Sequence, residues 1–283
     1  MTTLFVNGLC VIDASYLHPI RGLLGDSWLV DIELEGTLDH QGMVLDFGEV
    51  KKQVKRTIDE TFDHKLLVPN RHLGLKIEPL QHRCELQFPL TSGATITHSA
   101  PQSAITLIDT DSIGSESLSK AIIDELRPIL PDNVETIRLK LRHEQINGPF
   151  YHYSHGLKHH AGNCQRIAHG HRSRIEILKN GEPAPDLAAN WAKRWQDIYI
   201  ATETDLLGHN DKAGIRYCQF GYTANQGLFQ LELPESQTYL IDTDSTVENL
   251  AQHIADTLKQ EQPSASFRVY AYEGVDKGAI GIA

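Results

Sequence analysis

Three imidazoles and one thiol lie close together between positions 155 and 171: His155, Cys164, His169 and His171. Because successive side chains of a β-strand point to opposite faces, His169 and His171 share one face if this segment is a strand. His155 can then complete a set of three nitrogen ligands. Three protein ligands with an open fourth position are typical of catalytic rather than structural zinc. Cys164 need not be a ligand, because a nearby cation could instead make its thiol proton labile.

Two features of this stretch leave alternatives open. The chain has 15 His, so a single His-x-His is a weak signal, and His152, His159 and His160 can be polar loop residues. Positive charge also surrounds the cluster, in the side chains of Lys158, Arg166, Arg172 and Arg174. These basic residues either form a solvated loop face or bind a phosphate-bearing ligand near the metal.

The composition is typical of a soluble globular protein, since 40% of the 283 residues are hydrophobic and 22% are charged. The formal net charge of −11 argues against a nucleic-acid partner, because binding to phosphates needs a basic face. No apolar run is long enough to span a membrane, and the first residues do not resemble a signal peptide. The 4 Cys show no paired spacing that would suggest disulfides. We therefore expect a cytoplasmic protein without a membrane partner.

An internal repeat divides the chain. The segment Leu107–Ser112 recurs unchanged as Leu240–Ser245, and each copy precedes apolar residues at helical spacing and then a strand-like segment. Alternating segments around residues 28–34 and 169–178 add a strand to each half. Each half is predicted to run strand, strand, helix, strand or loop, helix, strand. We place the two units at 1–147 and 148–283.

Helices gathered on one face of an antiparallel sheet make an α+β fold, which is the predicted class of each half. The first helix of each unit is predicted from an apolar stripe, which in the second half includes Leu187, Trp191, Trp195 and Ile198. The middle regions, about 68–106 and 205–239, hold short β-like runs whose pairing the sequence does not assign.

Motifs in both halves resemble those of the 6-pyruvoyl-tetrahydropterin synthase and 6-carboxytetrahydropterin synthase family. The second half carries Tyr151–His155, Cys164, His169-Gly170-His171 and a strand that ends at Glu273; the first half carries Gly42–Phe47 and Phe62–Leu67. The resemblance covers nearly the whole chain. It implies two tandem units of the tunnelling fold (T-fold), in which antiparallel sheets join into a barrel by oligomerisation.

The resemblance also implies roles for seven residues. His155, His169 and His171 would bind zinc, Cys164 would be the catalytic thiol and Glu273 would anchor the pterin. The other two members of a catalytic triad would be Asp63 and His64.

The motifs are divided between the halves. In the positions of the zinc ligands the first half has Tyr16, Leu24 and Asp26. In the second half, register from Asp46 and Asp186 places Glu203 and Thr204 where the family has Asp-His. Because the family's triad forms between units, we predict one composite site with Asp63-His64 from the first half. A ring that alternates the two halves needs an even number of units, which predicts a homo-oligomer with a dimer as the natural minimum.

The implied substrate is 7,8-dihydroneopterin triphosphate, with Zn²⁺ as the cofactor. Between the products of the family we favour 6-carboxy-5,6,7,8-tetrahydropterin, on the route to 7-deazaguanine nucleosides such as queuosine, over the 6-pyruvoyl product. The competing hypothesis is a zinc- or pterin-binding descendant without enzyme activity. An unrelated zinc hydrolase is disfavoured because the chain has no H-E-x-x-H motif.

Overall fold

The computed structural model describes residues 1–38 and 40–283, with only the backbone of Phe47 and Glu49. The elements of the first half are β1 (Thr2–His18), β2 (Gly22–Gly36), α1 (Phe47–Thr61), β3 (Leu66–Pro69), β4 (Lys76–Pro79), β5 (Arg83–Pro89), β6 (Thr95–Pro101), β7 (Ile105–Ile108), α2 (Ser115–Leu126) and β8 (Val134–Arg142). Those of the second half are β9 (Phe150–His155), β10 (His169–Lys179), β11 (Glu182–Pro183), α3 (Pro185–Arg194), β12 (Ile198–Thr202), β13 (Leu206–Lys212), β14 (Ile215–Ala224), β15 (Gly227–Pro234), β16 (Thr238–Ile241), α4 (Val247–Glu261), β17 (Phe267–Tyr272) and β18 (Gly278–Ile282).

The two halves build equivalent sheets. The first has the strand order β7-β3-β1-β2-β8, and the second has β16-β12-β9-β10-β17-β18. Apolar side chains of α1 and α2 pack on the first sheet, and those of α3 and α4 pack on the second. The predicted α+β class and the tandem repeat are therefore confirmed. The helix predicted to reach Ile198 is shorter, because α3 ends at Arg194 and Asp197 has a positive φ of 57°.

The two sheets pack against each other at one point of very close approach. Ser15 pairs with Gly25 across β1 and β2, and Ser154 pairs with Gly170 across β9 and β10. The two serine hydroxyls are hydrogen-bonded at 2.7 Å, and a Cβ on Gly170 would lie 2.6 Å from the Cα of Gly25. Because equivalent residues meet each other, an approximate two-fold axis passes through this contact and relates the halves.

A third sheet joins the halves and contains the regions whose pairing the sequence did not assign. Its order is β13-β14-β15-β6-β5-β4, so strands of both halves form one sheet. The junction is antiparallel, with Leu231 of β15 opposite His98 of β6. Buried aromatic residues from both halves, among them Phe88, Phe220 and Phe229, pack on one face of this shared sheet. None of the described helices is long and apolar enough to cross a membrane.

Candidate active site

The three histidines predicted to bind metal lie at adjoining ends of two paired strands. His155 ends β9 and is opposite His169, which begins β10, while His171 follows on the same face. All three are fully buried, and their ring centroids are 4.4 to 5.7 Å apart. One ring nitrogen from each lies within 4.8 Å of the others. The β-strand register thus brings three potential nitrogen ligands together.

The partners of these rings determine which nitrogen is free. Nδ1 of His155 lies 2.9 Å from the carbonyl oxygen of Ser245, and Nδ1 of His169 lies 3.0 Å from that of Arg166. A carbonyl oxygen only accepts, so both Nδ1 atoms carry the proton and both Nε2 atoms keep a lone pair. Nε2 of all three rings is buried without a hydrogen-bond partner among the described residues. The Nδ1 hydrogen bonds of His155 and His169 fit Zn²⁺, which binds neutral imidazoles whose other nitrogen is hydrogen-bonded.

Electrostatics also keep the imidazoles of His155 and His169 neutral. Burial, together with the neighbouring imidazoles, lowers the pKa of His155 and of His169 well below the usual value. A neutral ring is the form that binds a metal, since protonation would occupy the ligating lone pair.

The remaining ring, His171, is bounded by carboxylates from both halves. Its Nδ1 lies 3.2 Å from Oδ1 of Asp13 in the first half. Its Nε2 lies 3.9 Å from Oε1 of Glu273, which directly follows β17. The residue predicted to anchor the pterin therefore lies beside the three histidines, and its side chain is 23% exposed. Asp13 was not singled out in the sequence.

Asp63 and His64 come from the first half of the same chain and reach this cluster. They follow α1, and His64 has a positive φ of 53°. Nδ1 of His64 lies 2.6 Å from Oδ2 of Asp63. Ligand atoms of His64, Cys164 and His169 lie within 4.8 Å of one another. A carboxylate, an imidazole and a thiol therefore form a row beside the potential metal ligands, as the composite-site hypothesis requires.

The charge state of His64 depends on its two neighbours. Burial disfavours the imidazolium form, but hydrogen bonds with Asp63 and Cys164 outweigh it and raise the pKa of His64 to about 10. An imidazolium beside Cys164 stabilises a thiolate, which is the nucleophilic and basic form of cysteine.

Of the four basic residues near the cluster, Arg166 alone contacts the triad. Its Nη1 donates to the carbonyl oxygen of His64 at 3.2 Å. The other three are engaged elsewhere: Lys158 with Asp205, Arg174 with Glu144 and Asp276, and Arg172 with the carbonyl oxygen of Glu144. Sequence reasoning passed over Lys65, which is buried after His64 and whose pKa is lowered to about 8 by burial and by Arg166. The charge of Lys65 therefore lies within the electrostatic influence of Arg166, which contacts the triad.

The second half has no Asp-His pair at the position equivalent to Asp63-His64. Leu66 pairs with Ser15 on β1, and Tyr199 pairs with the equivalent Ser154 on β9. The residues two before each are His64 and Asp197, so the counterparts of Asp63-His64 are Gln196-Asp197. The prediction of Glu203 and Thr204 was wrong because α3 has 10 residues where α1 has 15, and because Asp186 lies within α3 whereas Asp46 precedes α1.

Hydrogen-bonded polar pairs occupy the equivalent place in the first half, where the sequence has Tyr16, Leu24 and Asp26. Nε2 of His143, which follows β8 as Glu273 follows β17, lies 3.0 Å from Asp26. Arg21 binds Asp197 through two hydrogen bonds of 2.7 and 2.5 Å. This equivalent place, called the relic below, therefore has a His–Asp hydrogen bond and an Arg–Asp ion pair where the second half has the three histidines and the triad contact.

One more group of potential ligands lies on the shared sheet, formed by His209, Cys218 and Glu235. There Nε of Arg216 already binds the carboxylate of Glu235 at 3.2 Å. A cleft of about 360 Å³ over the same sheet is lined by none of the candidate active-site residues. The site between the halves is thus recognised by its side chains rather than by the size of a cavity.

Comparisons with known proteins agree on one family. The model of the family described as 6-pyruvoyl tetrahydropterin synthase matches twice, at residues 12–151 and 147–280. A protein of Pyrococcus abyssi, provisionally named 6-carboxy-5,6,7,8-tetrahydropterin synthase, is 24% identical over 130 residues, which are 46% of this chain and 74% of that protein.

Solved structures of 6-pyruvoyl tetrahydropterin synthases are similar to parts of the chain. The enzyme of Plasmodium falciparum has 16% identity and a TM-score of 0.41, over 50% of this chain and 90% of its own. That of Plasmodium vivax has 17% identity and a TM-score of 0.36, over 50% of this chain and 97% of its own.

Proposed function

Because the chain belongs to the 6-pyruvoyl tetrahydropterin synthase family, which it matches in two copies, we propose that it is a zinc-dependent lyase acting on 7,8-dihydroneopterin triphosphate. The observation that carries the proposal is the meeting of Asp63-His64 with Cys164 beside three histidines whose Nε2 atoms are free. The two halves of one chain supply one full set of these residues.

Each residue has a role in this proposal. His155, His169 and His171 would hold Zn²⁺, which supplies Lewis-acid activation of the side-chain hydroxyls of the substrate when bound. Glu273 accepts hydrogen bonds from the amino and N–H groups of the pterin, since an ionised carboxylate only accepts.

The triad moves protons in this mechanism. Cys164 as a thiolate removes a proton from the substrate side chain, and His64 as an imidazolium stabilises the thiolate and returns a proton. Asp63, at 2.6 Å from Nδ1, orients His64 and stabilises its positive charge.

The favoured product is 6-carboxy-5,6,7,8-tetrahydropterin, for the 7-deazaguanine route to queuosine. The name of the Pyrococcus abyssi relative supports this choice, while the name of the matching family supports the 6-pyruvoyl alternative. Mass analysis of the products distinguishes the two, because the two reactions leave different carbon side chains on the pterin.

A homo-oligomer was expected because a ring that alternates the two halves needs an even number of units. One chain already brings Asp63-His64 to Cys164. We therefore propose association of chains for closing the barrel and not for completing the triad.

The test is turnover of 7,8-dihydroneopterin triphosphate by the zinc-loaded chain. Cys164→Ala should lower kcat by at least about 100-fold and keep zinc bound, because the thiol transfers protons and is not a required ligand. The matched control Cys218→Ala should turn over normally, since that thiol lies on the shared sheet. His169→Ala should lose both zinc and activity. A folded, zinc-loaded wild type that forms no product would refute the proposed activity and favour a binding protein.

A further inference from the structure

Asp13 of β1 lies in the contact between the two halves, next to both the three histidines and the Asp63-His64 pair of the triad. Its side chain is 5% exposed, and its Oδ1 is 3.2 Å from Nδ1 of His171. Nδ1 has no hydrogen-bond partner among the described residues, so this contact is a close approach of the ring nitrogen to the carboxylate.

The carboxylate of Asp13 is itself held in place. The hydroxyl of Ser27 donates to Oδ1 at 2.5 Å, and Nζ of Lys277 lies 3.2 Å from Oδ2. Both contacts favour the ionised form and limit rotation of the carboxylate. A fixed, charged acceptor therefore faces the nitrogen of His171 that would not bind the metal.

The main chain of Asp13 holds the Asp63-His64 pair in place. Its N–H donates to Oδ1 of Asp63 at 2.8 Å, and its carbonyl oxygen accepts from the N–H of His64 at 2.7 Å. The side chain of Asp13 thus faces a metal-site residue of the second half, while its backbone positions the triad pair of the first half. A change confined to the side chain should affect the first function and spare the second.

The approximate two-fold axis repeats this contact in the relic. His152 is the counterpart of Asp13, and Asp26 is the counterpart of His171, with Nδ1 of His152 3.9 Å from Oδ1 of Asp26. As whole residues, Asp13 and Asp26 are both 3% exposed. Both also accept a hydrogen bond from Ser27. They are a matched pair of buried carboxylates, of which Asp13 alone faces one of the three site histidines.

We propose that Asp13 is a positioning residue that acts through His171 on metal binding, an inference that rests on the proposed zinc site. A carboxylate at Nδ1 fixes the proton there, orients the ring and makes Nε2 a better donor to the metal. The residue is supplied by the first half, so the zinc affinity of the second half depends on the docking of the two halves.

The test compares Asp13→Asn with Asp26→Asn by competition for zinc with a chromophoric chelator. Asp13→Asn should weaken zinc binding about 10- to 100-fold, the usual effect of removing such a partner. Asp26→Asn should change it less than about threefold, because it faces no metal-site histidine. Thermal melting of the apo-proteins supplies the readout for structural damage, which should be similar in the two variants.

Ser27→Ala is the milder second variant, for the case that Asp13→Asn does not fold. It removes the hydroxyl that donates to Asp13 and should weaken zinc binding severalfold. Equal zinc affinities in Asp13→Asn and Asp26→Asn, or an unchanged affinity in a folded Ser27→Ala where Asp13→Asn fails to fold, would overturn the inference. A wild type that binds no zinc would instead refute the proposed metal site, so the two failures are distinguishable.

Discussion

A mixing experiment tests whether the site forms within one chain. His64→Ala and Cys164→Ala each remove one triad member, and each alone should lower turnover at least about 100-fold. In the structure the two residues are partners within a single chain, with Arg166 donating to the carbonyl oxygen of His64 at 3.2 Å. A chain with either substitution therefore has no complete triad, whatever chain lies beside it.

The expected result follows from counting sites. If each site used Cys164 of one chain and His64 of another, a dimer with one chain of each variant would have about half of its sites intact. Since the structure joins both residues in one chain, the mixture should stay at the level of the single variants. The shared sheet, in which β15 pairs with β6, fixes the halves of each chain to each other.

In the assay, the two variants are co-expressed with different tags. Complexes that carry both tags, and therefore contain one chain of each variant, are purified, and their turnover is measured. A chain with both substitutions, co-expressed with wild type, is the control and should give about half of the wild-type activity per chain. Recovery of about half of wild-type activity by the purified mixed dimers would refute the intrachain site, because only sites that combine residues of two chains could produce it.

Three further predictions concern the close contact between the two sheets, the buried His98 and the binding of the triphosphate substrate. Gly25→Ala should destabilise the fold by about 2 kcal/mol or more and lower activity, because its methyl group would overlap the carbonyl oxygen of Tyr153, whereas Gly148→Ala has open space; urea unfolding checks both. His98 has a pKa lowered to about 3 by burial and by Arg83, so its contribution to stability is complete above pH 6.5 and is lost as the pH falls toward 3. His98 should thus account for about 2 kcal/mol of the decrease in unfolding free energy from pH 7 to pH 5, and a folded His98→Leu whose decrease is as large as that of the wild type would contradict the assignment. Lys65→Met should raise KM for the triphosphate about 10-fold with less effect on kcat, because it removes a cation near Arg166 that would bind the phosphates. Lys158→Met should leave KM unchanged, because the ammonium group of Lys158 is paired with Asp205. Equal KM values of Lys65→Met and wild type in steady-state kinetics would refute phosphate binding by Lys65.

Local sequence patterns predicted the parts of the site that lie within one element. The alternation in His169-Gly170-His171 placed two imidazoles on one face, because the period of a strand is two. The repeat of Leu107–Ser112 predicted two equivalent units, and the structure has them. These signals depend only on neighbouring residues, which is why they can be interpreted without a structure.

Contacts between distant segments were not accessible in the same way. Nothing near Asp13 in the sequence indicates that it faces His171, since the contact depends on how the sheets dock. The pairing of Leu231 with His98 likewise depends on both halves. The counterpart of His64 was misplaced because a shorter helix shifts the register without leaving a mark in the pattern.

The contact of Gly25 with Gly170 has a consequence for descent. In a dimer of identical chains every substitution occurs twice, so losing a zinc ligand at one site means losing it at both. Once two copies are joined in one polypeptide and still meet across the same axis, each can mutate alone. Under the proposed function, selection needs to preserve only one ligand set and one triad pair, and Asp26 is left to serve as a structural partner of His143 and His152.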